Sequence, residues 1–133
     1  MESREDKLIK AVERYRHKAF DWKTFNCGLA AADIASSYCN KDYAEKWRPL
    51  CSGRISAMKA VLRAGGLEQV VDDLGLECIS VKMARRGDVV LTTEDRRTQA
   101  LGIVYDGARA VFPTQFGLAY VNVFNCAKAW RVI

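Results

Sequence analysis

Apolar positions in the first half of the chain recur at helical spacing, and those in the second half alternate. In residues 3–18, Leu8, Val12 and Tyr15 share one stripe with Ala11 beside them, and nearly everything else is charged, which predicts an amphipathic helix. Ser3 is the expected N-cap, with Asp6 three residues on as a capping-box partner. Phe20 and Trp22 lie in a connection, and Asn26 is placed to cap the next helix. That helix should run from Cys27 to about Tyr38. Its Gly28, Ala30, Ala31, Ala32, Ala35, Ser36 and Ser37 allow close approach of neighbours, so it reads as the central buried helix. Residues 39–50 form a polar link with one helical turn that Pro49 should end. Ser52 is expected to cap a third helix, with Ile55, Met58 and Leu62 on its apolar stripe and Gly65–Gly66 as its stop. A short fourth helix should close at Gly75.

Beyond Gly75 the period changes to two and β-branched residues accumulate. Residues 78–81, 88–92, 101–105, 109–114 and 119–124 read as strands, with 129–133 as a last one. Asp106–Gly107 suits a two-residue hairpin turn of type I′. Helices followed by an antiparallel meander imply an α+β fold, with residues 1–133 as one domain.

Composition narrows the function classes. Half the residues are hydrophobic, so a core can form without disulfide or metal staples. No apolar stretch is long enough to cross a bilayer, and the charged start carries no secretory pattern, so a soluble protein made in a cytoplasm is expected, with no membrane partner. The cysteines are Cys27, Cys39, Cys51, Cys78 and Cys126, an odd count at wide spacing. Reduced thiols are therefore expected, buried at Cys39, Cys78 and Cys126 and partly exposed at Cys51. With one histidine, His17, and no Cys-x-x-Cys pair, neither a metal site nor a cofactor is expected. The net charge of +5 could favour nucleic acid or an acidic protein. Its basic clusters, at residues 14–18, Arg85–Arg86 and Arg96–Arg97, are short and lack interleaved aromatics, which reads as solvated surface.

Cys27 carries the candidate chemistry. A thiol in the first turn of a helix meets unpaired N–H groups and a positive partial charge, which favour the thiolate. The same groups can hold an oxyanion formed when sulfur attacks a carbonyl. Asn26 would cap that turn, and Gly28 would let a substrate approach the backbone. The alternative is a small buried residue where helix meets sheet.

The motifs FDWKTFNCGLAAADIA, WRPLCSGRISAMKAVLRAGGLEQV, ARRGDVVL, ALGIVYDG and the terminal AWRV span most of the chain. In that order they resemble the NlpC-type branch of the papain-like peptidases, enzymes that cut peptide stems of peptidoglycan. More closely they resemble a phage branch associated with tail assembly. The resemblance implies a papain-like α+β fold with Cys27 as nucleophile. It places the histidine that serves as base at Ala100, beside Gln99, where no proton can be accepted. Thr114, Gln115 or Asn122 would hold the third, orienting position, and Asn26 stands where the phage branch often has Asp. His17, ten residues before Cys27, is the remaining candidate base, although Arg16 and Lys18 beside it suggest a solvated face.

Trp47 and Arg48, ahead of Pro49, could form a ligand-contacting loop or an aromatic clamp, and Trp22 and Trp130 read as anchors of the core or its rim. Three functions follow as expectations. The first is a non-catalytic phage protein, made in the host cytoplasm and carried in the virion tail, that binds other tail proteins at the tail tip. The second is a cysteine endopeptidase or amidase acting on cell-wall peptide through Cys27. The third is a small basic module for nucleic acid or an acidic protein.

Overall fold

Ser3 caps the first helix as its sequence requires. Its hydroxyl accepts from the Asp6 N–H at 3.1 Å, and the Asp6 carboxylate accepts from the Ser3 N–H at 3.3 Å. The computed structural model describes residues 2–93, 95 and 98–133. The Arg96–Arg97 pair and Glu94, in the turn between two predicted strands, lie outside the described residues. Helix α1 (Arg4–Tyr15) buries Leu8, Ala11 and Val12. Helix α2 (Cys27–Ala35) follows a cap at Asn26 and buries six of its nine residues, as its small-residue composition demands. Helices α3 (Arg54–Arg63) and α4 (Leu67–Asp72) complete the helical half.

The strands are β1 (Glu77–Ile79), β2 (Val89–Leu91), β3 (Leu101–Val104), β4 (Arg109–Thr114), β5 (Gly117–Asn122) and β6 (Lys128–Arg131). All pair antiparallel, in the order β1-β6-β2-β3-β4-β5. The expected meander therefore holds from β2 to β5 only, because the last strand inserts between β1 and β2. One sheet face packs against α1 and α2 through Leu91, Leu101, Ile103, Val111 and Trp130. The other gathers Val90, Val104, Ala110, Phe112 and Ala129. This alternation is the period-two pattern of the sequence.

Several local expectations change. Pro49 starts a 3-10 turn at Arg48–Leu50 instead of ending one, because its missing N–H is free of cost in a first turn. Gly53, not Ser52, is the residue at the head of α3, and the Ser56 hydroxyl accepts from the N–H groups of both. The α3 stripe is not core: only Ala57 is buried, while Ile55, Met58 and Leu62 are exposed. The Asp106–Gly107 hairpin forms without a type I′ turn, since Gly107 is not among the positive-φ glycines. Instead the Asp106 carboxylate accepts from the N–H groups of Ala108 and Arg109 at 2.9 and 2.8 Å, a side-chain turn that needs no left-handed backbone. The tight turn with a left-handed residue is the next one, at Gly117 (φ +109). There a Cβ would sit 2.4 Å from the Arg16 carbonyl oxygen, so glycine lets the β4–β5 hairpin seat against the end of α1.

The Gly87–Asp88 pair that opens β2 is structural. Asp88 is fully buried, and its carboxylate accepts from the N–H groups of Arg85 (2.8 Å) and Val132 (3.0 Å) and from the Arg131 guanidinium (3.2 Å). Arg4 of α1 approaches it at 3.9 Å. Tyr38 donates to the Gly87 carbonyl at 2.8 Å, and burial pushes its phenol well above the ordinary range.

Candidate functional site

Asn26 sets the start of α2. Its side-chain oxygen accepts from the Leu29 N–H at 3.0 Å, while its amide donates to the Trp22 carbonyl at 3.1 Å and to the Cys51 sulfur at 3.6 Å. One side chain thus caps the helix, holds the preceding turn and ties in the loop before α3. Cys27 follows as the first helical residue and is partly buried. Burial pushes its thiol up, against the opposing pull of the backbone N–H groups of Leu101, Gly28 and Cys27 itself. Desolvation outweighs these N–H groups, so the thiol, not the thiolate, is the resting form at neutral pH.

The sulfur sits on a cavity of about 270 Å³ between α2, α3, α4 and the sheet. Trp22, Asn26, Gly28 and Trp47 line it together with Cys27, so five of the residues singled out in the sequence do meet. Arg48 does not line it: its guanidinium is held by Asp33 at 2.9 Å and Asp42 at 3.0 Å, which clamps the loop to α2. His17 does not line it either. It is exposed in the turn after α1, with its Cα beside Gly117. Among the described residues, the lining includes no histidine and no charged side chain.

The strand position expected to hold a base also needs correction. Ala100 packs on the far face of the sheet, with Val90, Phe112 and Ala129. The β3 residues on the α2 face are Leu101 and Ile103, of which Leu101 lines the cavity together with Gln99. A shift of one residue along a strand exchanges the faces, so the proton-acceptor position opposite Cys27 is apolar on β3 itself. Thr114 closes the β4–β5 hairpin by donating to the Gly117 carbonyl at 2.6 Å, and Asn122 caps the 3-10 turn at Val123–Asn125. Neither they nor Gln115 lines the cavity.

What sequence reasoning missed is the helical wall: Met58, Val61 and Leu62 of α3 and Val70 and Val71 of α4. Their stripe is visible in the sequence, but an apolar stripe facing a cavity has the same spacing as one facing a core. Two thiols also exchange expected environments, with Cys51 buried and Cys78 exposed on an edge strand.

With the thiol up-shifted, alkylation has a predictable order. Exposed Cys78 should react with iodoacetamide before Cys27 at neutral pH, and the Cys27 rate should still climb above the ordinary thiol value of 9.0. Peptide-mapped mass spectrometry across a pH series checks both. Labelling of Cys27 ahead of Cys78 at neutral pH would contradict this ordering.

The architecture is that of a known domain. The chain superposes on the crystal structure of the NlpC/p60 domain of the peptidoglycan hydrolase SagA with a TM-score of 0.59 and 13% identity, covering 96% of this chain and 98% of that one. The fold is therefore papain-like, α+β, of the NlpC type. No curated protein matches the chain. Residues 1–132 match the family described as Domain of unknown function (DUF6950), and the chain belongs to it.

Proposed function

We propose that this chain is a non-catalytic NlpC/p60-like domain of a phage tail, made in the host cytoplasm and assembled into the virion, where it binds other tail proteins. The observation that carries the non-catalytic part is the cavity lining at Cys27, which among the described residues offers no histidine and no charged group. A general base contributes roughly 10²–10⁴-fold to such chemistry. A site that keeps the nucleophile position and the N–H groups, with burial holding the sulfur protonated, retains the scaffold of a cysteine hydrolase and lacks its proton transfer. The tail role is supported by the order of motifs along the chain. The exposed apolar face of α3 supports binding in place of cutting.

Purified protein incubated with peptidoglycan is expected to release no soluble peptide fragments, and Cys27→Ala is expected to give the same chromatogram. Release that disappears in Cys27→Ala would establish the rival reading, a cysteine endopeptidase. That reading draws on the position of Cys27 at the helix start and on the fold shared with a hydrolase domain. For the tail role, particles from a phage lacking this chain should show absent or incomplete tails by electron microscopy. Normal tails would refute it.

A further inference from the structure

The cavity continues past Cys27, and its shape and chemistry differ from what a peptide needs. It follows α2 from Cys27 to Ala35 along Gly28, Ala31 and Ala32, a rise of about 12 Å along the helix axis. Its floor is closed by Val71, Val89 and Val132, each buried. Its outer wall is α3, through Met58, Val61 and Leu62. Asn26 adjoins Cys27 and Gln99 lies two residues from Leu101, whose backbone meets the thiol; Trp22, Tyr43 and Trp47 add aromatic lining, and most of the rest is aliphatic. A peptide main chain laid there would bury N–H and C=O groups without partners, a cost that a hydrocarbon avoids. A charged ligand would meet no counter-charge among the described lining residues. An apolar cavity of about 150 Å³ holds benzene, with six carbon atoms. On that scale about 270 Å³ accommodates about eleven heavy atoms.

We infer that this cavity is a binding site for one unbranched aliphatic chain of about ten carbons, carried by a neutral amphiphile whose polar end rests beside Cys27, Asn26 and Gln99. The small residues of α2 supply the space, because each larger side chain there would fill it. The helix α3 supplies an adjustable wall, since only Ala57 anchors it in the core. Binding of this kind needs no reactive thiol, so it stands apart from whether the site cuts peptides.

Titration calorimetry of the purified chain with hexanol, octanol, decanol and dodecanol tests the assignment. Affinity should rise roughly fourfold per added methylene up to decanol and level off at dodecanol. Val61→Trp, at a half-buried position on the α3 wall, should fill the space and weaken decanol binding by about tenfold or more. Met58→Trp, at an exposed position on the same wall, should do the same if Val61→Trp fails to fold. Lys59→Gln, exposed on the same helix and outside the lining, should leave binding unchanged. Thermal unfolding of each variant verifies that the fold is intact. Absence of saturable decanol binding, affinity independent of chain length, or full affinity in a folded wall variant overturns the inference. So does a concentration-dependent dimer that the wall variants abolish while decanol stays unbound, which would make a second copy of the chain the occupant.

Discussion

Asp88→Ala is expected to destabilise the protein by about 3–5 kcal/mol, a large part of the roughly 5–15 kcal/mol that holds a domain of this size together. The side chain is fully buried and accepts from three donors: the Arg85 N–H ahead of β2, the Val132 N–H after β6, and the Arg131 side chain. Removing it strands buried donors and leaves the Arg131 guanidinium, only 20% exposed, without its carboxylate. Asp88→Asn keeps the volume but turns an N–H group toward other donors, so it should recover only part of the loss. Urea unfolding followed by circular dichroism measures both. An Asp88→Ala midpoint equal to the wild type would show that Gly87–Asp88 does not organise the sheet. Gly87 belongs to the same device. It adopts φ +93, and a Cβ there would come within 2.7 Å of the Arg4 side chain, so the glycine lets α1 reach the carboxylate.

The elements were legible because their physics is local. Capping at Ser3 and Asn26, the small residues of α2, the glycine stop after α3 and the alternation of β2 to β4 each need only a few neighbouring residues. Strand order was not local. Nothing in residues 128–131 announces that they slot between β1 and β2, since an antiparallel strand with apolar alternation fits several partners. Facing was half legible. Period two separates Ala100 from Leu101, but only the packed sheet says which of them looks at α2. The candidate site behaved in the same way. Trp22, Asn26, Cys27, Gly28 and Trp47 lie near each other through α2 and its flanks, whereas Arg48 is captured by two carboxylates that sit 15 and 6 positions away in the chain. The cavity was illegible for a further reason: a void has no residue of its own, and the apolar stripes around it look like core.

Trp130→Ala should cost a comparable amount, about 3–5 kcal/mol, through lost packing and a cavity in the sheet. Trp130 is fully buried at the centre of β6, paired across to Cys78 on one side and Val89 on the other. Its indole N–H donates to the Asp72 carboxylate at 2.8 Å, which ties the last residue of α4 to the sheet. Trp130→Phe separates the two contributions. It keeps most of the apolar contact and gives up the hydrogen bond to an exposed carboxylate that water can re-solvate, so about 1 kcal/mol is expected. The two variants should also differ at the Cys27 site. Val70 and Val71 of α4 line the cavity, so releasing α4 should loosen that wall and raise the alkylation rate of Cys27 in both variants, while Cys78 labelling in Trp130→Phe stays near wild type. Chemical denaturation gives the stabilities, and the same peptide-mapped labelling gives the rates. Trp130→Phe with wild-type Cys27 protection would mean that the apolar face of α4 and its Glu68–Lys128 ion pair hold the helix, and that the Asp72 contact does not position the wall.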